Sequence, residues 1–200
     1  MSQARCLQRS CFHVGLHRQN NHRRLFYSQW RTSSRNDGSE VSLQQLLSEL
    51  DRAIDNEEYE LAATLRDEIQ TKRQDNRIAV EEANERFYEA FRNGNYAAMS
   101  QIWGTGQHVQ CIHPAAECIA GREDVMMSWK LILSSGRMNI NLEDVRIYAT
   151  DTEGYVTLVE VVDAEDSQGR IIATNIFERQ QGSWKIVHHH GGPVPSRRPL

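Results

Sequence analysis

Ile171-Ile172-Ala173-Thr174-Asn175-Ile176-Phe177-Glu178-Arg179, then Gln180-Gln181-Gly182, then Ser183-Trp184-Lys185-Ile186-Val187-His188-His189-His190, decides the fold of this 200-residue chain. Two runs rich in β-branched and aromatic residues flank a short Gly-containing turn, which is the pattern of a β-hairpin. Strict alternation places Trp184, Ile186, His188 and His190 on one face of the second run, and Lys185, Val187 and His189 on the other. The first run carries Ile on both faces, as expected of a sheet covered by helices on one side and by a partner on the other. Gly191-Gly192-Pro193 is expected to stop the strand.

Upstream, residues 138–148 carry Ile140, Leu142, Val145 and Ile147, with a break near Glu143-Asp144 that predicts a bulge. Residues 154–163 alternate as a further strand, and Ser167-Gln168-Gly169 reads as the turn into the hairpin. His108–His113 is a weaker strand that ends at Pro114. Before the strands come helices. Val80, Ala83, Phe87, Ala90 and Phe91 make one apolar face, stopped by Asn93-Gly94. Asn95 caps a short helix with Met99 and Ile102, and Glu123 and Asp124 begin a helix through Trp129 to Leu133. Helices first and antiparallel strands last describe an α+β layer.

The hairpin sequence A-T-N-I-F-E-R-Q-Q-G-S-W-K-I-V-H-H-H-G-G-P, with Gly121-Arg122-Glu123-Asp124-Val125 ahead of Trp129, resembles SnoaL-like domains of the nuclear transport factor 2-like superfamily. The resemblance spans residues 77–195. It implies a cone-like domain of helices packed on a curved antiparallel sheet, a fold that hosts isomerases, cyclases, ligand binders and assembly modules alike.

Ahead of this domain, Ser42-Leu43-Gln44-Gln45 has the form of a capping box. Leu43, Leu46, Leu47, Leu50 and Ile54 follow at helical spacing, Asp55-Asn56-Glu57-Glu58 makes a turn, and Tyr59, Ala62, Leu65 and Ile69 line a second helix. Two short helices with facing stripes form an antiparallel hairpin, and the pattern restarts at Asn76. Glu58-Tyr59-Glu60-Leu61-Ala62-Ala63-Thr64-Leu65-Arg66-Asp67-Glu68-Ile69 resembles the UVR motif of UvrB and UvrC over residues 40–73. That resemblance implies docking onto a protein partner, with adaptors of Clp-type proteases among its relatives. Leu50, Tyr59, Ala62, Leu65 and Arg66 are the partner-facing candidates.

Residues 1–36 hold seven Arg, three His and no acid, the composition of an organellar transit peptide with no continuous apolar core. A plant-type plastid protein is expected, with the mitochondrion as the alternative. Beyond residue 36, 16 Lys and Arg face 27 Asp and Glu, a net charge of −11 against −4 for the whole chain. So acidic a body repels phosphate backbones, so nucleic acid is not an expected partner. No window has the length and apolarity of a membrane span, and no membrane association is expected.

Within the cone, Tyr88, Trp103, His113, Trp129, Glu160, Asn175, His188 and His190 are the pocket-lining candidates. Glu160 is placed as a carboxylate base with Tyr88, Tyr155 or Trp103 as the hydrogen-bond donor, the minimum for enolate chemistry, while an outward-facing surface carboxylate is an equally natural reading of Glu160. Asn175 stands where calmodulin-kinase association domains carry Arg, which removes the obvious anchor for an anion. His188 and His190 share a face, but a metal needs a third ligand that the spacing does not select. Cys111-Ile112-His113 with Cys118 lacks a paired C-x-x-C knuckle. No metal, cofactor or catalytic set is therefore expected. The function expected is an organellar adaptor that docks a partner through the hairpin and dimerises through the sheet of the SnoaL-like domain. The alternative is a small-molecule isomerase or ligand binder using the cone.

Overall fold

The computed structural model describes residues 41–164 and 167–194, and the elements below all lie in the compact unit from Ser42 onward. The expected transit peptide of residues 1–36 lies outside the described residues.

Helix α1 (Leu43–Asp55) starts at the expected capping box. Ser42 Oγ accepts from the Gln45 amide at 3.2 Å, and Gln45 Oε1 accepts from the Ser42 amide at 2.8 Å. A tight turn with Glu57 at positive φ reverses the chain into α2 (Tyr59–Arg92). This helix runs 34 residues without interruption, so the restart expected at Asn76 is not a break. The physical reason is that Arg73-Gln74-Asp75-Asn76 contains no Gly or Pro.

The buried face of α2 also continues across the junction. Leu65, Ile69, Lys72, Asn76, Val80, Ala83 and Phe87 follow at steps of three and four, which keeps them on one side of the helix. Leu65 and Ile69, with Leu46 and Ala53 of α1, are buried in the hairpin. Val80, Ala83 and Phe87 belong to the main core.

Short helix α3 (Tyr96–Ile102) is capped by the Asn95 side chain, as expected. Helix α4 (Arg122–Leu133) buries Val125, Met126, Trp129 and Leu133. The strands are β1 (Gln110–Ile112), β2 (Cys118–Ala120), β3 (Asn139–Ala149), β4 (Glu153–Ala164), β5 (Ser167–Gln180) and β6 (Ser183–Pro193). They form one curved sheet in the order β2-β1-β6-β5-β4-β3.

The sheet is mixed and not wholly antiparallel, because β1 runs parallel to β6, with Gln110 opposite His188 and Ile112 opposite His190. The bulge expected in β3 is present, with the register shifting between Glu143 and Arg146 and Asp144 at positive φ. The β5–β6 turn is two residues, Gln181 and Gly182, both at positive φ, flanked by paired Gln180 and Ser183. Two expectations are corrected at the hairpin ends. Ser167 already pairs with Ala164, so Ser167–Gly169 is strand. Gly191-Gly192-Pro193 continues β6 opposite Ile171–Ala173. A Cβ on Gly191 would stand 3.2 Å from Ile171 and 3.3 Å from Pro114, so close packing explains that glycine better than a strand stop.

Candidate functional site

The inner face of the sheet and the underside of α2 enclose five buried polar side chains: Asn84, Tyr88, Glu160, Asn175 and His189. Helical spacing brings Asn84 and Tyr88 to the same face. Strand alternation puts Glu160 of β4 and Asn175 of β5 inward, beside Leu158 and Ala173. His189 arrives there by a different route. Phe177 pairs with Ile186 but Ile176 pairs with His188, so Val187 is an extra residue in β6. The bulge flips the parity of everything after it. Trp184, Ile186 and His189 therefore face inward, and His188 and His190 do not. The placement of His188 and His190 in the cone is corrected on this ground. Their rings lie 6.5 Å apart near the outer face, beside Ile176 and Thr174 of β5.

The five groups form one directional chain of donors. Asn175 Nδ2 donates to Asn84 Oδ1 at 2.8 Å, which fixes its amide orientation. Asn175 Oδ1 then accepts from His189 Nδ1–H at 2.7 Å, which places a proton on Nδ1. Asn175 Nδ2 also reaches the Tyr88 hydroxyl at 3.4 Å, and that hydroxyl donates to Glu160 Oε1 at 2.7 Å. Burial pushes the Glu160 carboxyl above its usual range, while the Tyr88 hydrogen bond pulls it back. Burial and the neighbouring Glu160 hold the Tyr88 phenol well above its ordinary value. Burial, with His113, His188 and His190 nearby, pushes His189 down to about 3.

Aromatic rings occupy the space around this chain. Phe87 meets Trp129 edge-on at 5.3 Å and Tyr88 at 4.9 Å, and Trp129 stands 5.6 Å from His189 and 6.4 Å from Trp103. The candidates Tyr88, Trp103, Trp129, Glu160 and Asn175 are thus interior, packed against or hydrogen-bonded to one another or to His189. His113 is half-buried at the edge, 5.0 Å from Trp129, with Nε2 at 3.0 Å from Ser128 Oγ and 3.5 Å from Cys111 Sγ. Cys111, His113 and Ser128 have the outline of a nucleophilic set. Burial pushes the Cys111 thiol up to about 12, so no thiolate is available for attack. Among the described residues no three His, Cys, Asp or Glu side chains are grouped to hold a metal ion.

The partner-facing candidates divide. Tyr59, at the turn, is 68% exposed beside Ile54 at 51%. Leu50 and Ala62 are half-buried, and Arg66 is exposed and paired with Asp67 at 2.7 Å. Leu65 is fully buried, which corrects its place among the outward residues: it belongs to the seam that holds α1 on α2.

The hairpin root is fixed by one carboxylate that sequence reasoning did not single out. Asp151, in the β3–β4 turn, accepts from the Leu43 amide and from Asn76 Nδ2 at 3.0 Å, with Lys72 Nζ at 3.8 Å. Arg179 of β5 donates to Asn76 Oδ1 at 3.0 Å and lies 4.9 Å over the Trp184 ring. Asp in a tight turn gives no signal of such a role; buried Asn76 inside a helix does, because a buried amide needs partners.

Helices followed by a curved mixed sheet of six strands match the NTF2-like class of α+β cones. The chain belongs to the SnoaL-like domain family, which it matches over residues 80–195, and it carries a UvrB/UvrC motif over residues 40–75. It is 28% identical over 113 residues to the F-box protein SKIP8 of Arabidopsis thaliana, matching 56% of this chain and 48% of that one. The chain thus spans about half the length of that curated relative. Among solved structures it is similar to a protein of Streptomyces avermitilis provisionally described as a dehydratase from the NTF2-like family. Identity there is 29% and the TM-score 0.58, over 62% of this chain and 99% of that one. A calcium/calmodulin-dependent protein kinase type II association domain, provisionally so described, from Thiobacillus denitrificans is 29% identical. Its TM-score is 0.53, over 57% and 94% of the two chains.

Proposed function

We propose that this protein is an organellar adaptor: the hairpin tip binds a partner protein and the SnoaL-like domain holds two copies together through the outer face of its sheet. One observation carries the reading. An unbroken α2 presents a turn whose Ile54 and Tyr59 are bare, on a hairpin whose own seam is already filled by Leu46, Ala53, Leu65 and Ile69. Apolar surface left over after the seam is closed is surface for another molecule. The outer sheet face supports the second half, because Tyr148, Tyr155, Ile172 and Ile176 lie there exposed, with Tyr148 stacked on Tyr155 at 5.3 Å. Two linked hairpins would raise the effective concentration of each tip at a multi-subunit target. A Clp-type protease system is the partner class the hairpin's resemblance favours, in a plastid or a mitochondrion.

The cone interior favours a scaffold. Tyr88, Asn84, Asn175, Glu160 and His189 hydrogen-bond to one another, and aromatic rings close around them. The test is affinity capture from plastid and mitochondrial extracts with the wild-type chain and with Ile54→Ser/Tyr59→Ala. The expected result is a specific partner retained by the first and lost by the second at unchanged melting temperature. Identical capture by both chains refutes tip docking. Sedimentation of Ile176→Lys as a monomer, beside a dimeric wild type, is expected if the sheet face pairs.

A further inference from the structure

The Val187 bulge leaves His188 and His190 side by side on the outer face of the sheet. Two residues apart on β6, they share one side of the strand, with ring centroids 6.5 Å apart. His188 is half-buried and His190 exposed, and neither imidazole makes a hydrogen bond or an ion pair among the described residues. Across the strands, Gln110 and Ile176 flank His188, and Ile112 and Thr174 flank His190, so no charged neighbour there claims either ring. Gly192, next on that side, has no side chain, which keeps the space beside His190 Nε2 open: a Cβ there would stand 3.9 Å away. Two free imidazoles on one strand face are half of a tetrahedral nitrogen shell for zinc. Two ligands alone hold the ion weakly, and among the described residues the chain groups no third beside them.

A second copy supplies what is missing. His188 ends a cross-strand row of exposed apolar side chains, in which Tyr148 pairs with Tyr155, Tyr155 with Ile176, and Ile176 with His188. That row is the surface assigned above to pairing of two sheets, and the inference rests on that reading. In a twofold contact a patch meets its own copy, so a residue beside the axis occurs twice. Facing sheets pack about 10 Å apart, which puts an ion midway at about 5 Å from either backbone, within reach of an imidazole. We propose that the twofold axis passes beside β6 and that His188 and His190 of both copies bind one zinc ion there through four nitrogens. With Zn–N bonds of about 2.0–2.1 Å, two ring centroids on one ion stand roughly 5 Å apart, so each pair closes by roughly 1 Å. A rotation of the exposed His190 ring supplies that movement. Pairing of the sheets, and with it the presentation of two hairpin tips, then depends on the supply of metal.

The experiment is zinc titration and analytical sedimentation of the untagged full chain, stripped with EDTA, beside His188→Gln/His190→Gln. The wild type is expected to take up one more zinc ion per pair of chains than the variant, a difference that discounts ions held elsewhere. Zinc is expected to tighten the wild-type dimer by about tenfold or more and to leave the variant unchanged. Cobalt(II) in place of zinc should give the wild type alone the intense visible absorption of a tetrahedral site. Equal uptake by the two chains, or uptake with no effect on dimerisation, overturns the proposal. A dimer indifferent to zinc in both chains removes the metal bridge and leaves sheet pairing standing, whereas monomers at every zinc level overturn both. A wild type that dimerises only with zinc supports the bridge. Circular dichroism on the variant checks that the fold remains.

Discussion

Replacing His189 by Phe should change how stability depends on pH in a way that no surface histidine could. The folded pKa of His189 is about 3, against an ordinary value of 6.5, so its folded value is depressed. A depressed group contributes stability above its unfolded pKa and loses it as pH falls through the folded one, because only the unfolded chain takes the proton. Each pH unit in that window is worth about 1.4 kcal/mol, so the wild type loses about 2 kcal/mol by about pH 5 and about 4–5 kcal/mol once the window is crossed. Phe fits beside Phe87 and Trp129, but it leaves Asn175 Oδ1 without its donor. An orphaned buried acceptor costs about 1–3 kcal/mol at every pH. The variant should therefore be less stable near neutrality, draw level near about pH 5, and exceed the wild type below that. Glu160 acts with the opposite sign. Its raised folded value gives stability at low pH that is lost as pH rises through it, and both chains carry it, so it cancels in the difference. Urea unfolding followed by tryptophan fluorescence at several pH values measures both curves. A constant gap between them, from neutral pH down to about pH 4, would refute the buried-imidazole account.

Three further outcomes follow from the packing. Asp151→Ala removes the acceptor shared by the Leu43 amide, Asn76 and Lys72, and should cost about 1–3 kcal/mol. The loss should be local, read as faster amide exchange in α1 than in β4 or β5. Gly154→Ala places a methyl group 2.7 Å from Val80 Cγ2 and 3.1 Å from the Tyr148 carbonyl, and should cost about 1–3 kcal/mol in melting experiments. Cys118 should react with maleimide in the native protein at neutral pH while Cys111 does not, since one thiol is exposed and the other is buried with its pKa pushed up to about 12. Mass spectrometry of the native and urea-unfolded protein, with equal labelling of both sites as the contrary result, decides it.

How much of this was legible in the sequence depended on whether regular spacing survived. Helix starts were readable because Ser42-x-x-Gln45 and Asn95 satisfy free amides in a fixed way. The β5–β6 hairpin was readable from its short Gly-containing turn, which the sequence placed at Gln180–Gly182 and the structure shortens to Gln181-Gly182, and the β3 bulge from the charged pair that breaks the alternation. The bulge at Val187 was not readable. Ile186 and Val187 are both aliphatic and both end up buried, so nothing marks the step at which inside becomes outside. The sequence therefore offered His188 and His190 as the interior pair, and the interior histidine is the one between them. The parallel pairing of β1 with β6 was hidden for another reason: three residues of β1 carry no information on direction.

The junction at Asn76 shows the same limit from the side of polarity. Steps of four, three, four, four, three and four from Leu65 to Phe87 keep one face of α2 unbroken, but Lys72 and Asn76 occupy two of the positions. A hydrophobic stripe with two polar members reads as two stripes. Here the polar members are covered because Asp151 and Arg179 meet them, and those partners come from β-turn and strand positions remote in sequence. The consequence reaches function. A flexible linker would let the hairpin sample many directions, whereas a continuous helix clamped at its midpoint by buried polar bonds holds the tip at one angle to the sheet. In any assembly built on that sheet, the position of each tip is then set by the fold. Asp151→Ala and Asn76→Leu should accordingly loosen tip geometry before they unfold the core. That order of events is visible as a drop in partner capture at temperatures where the tryptophan core is still intact.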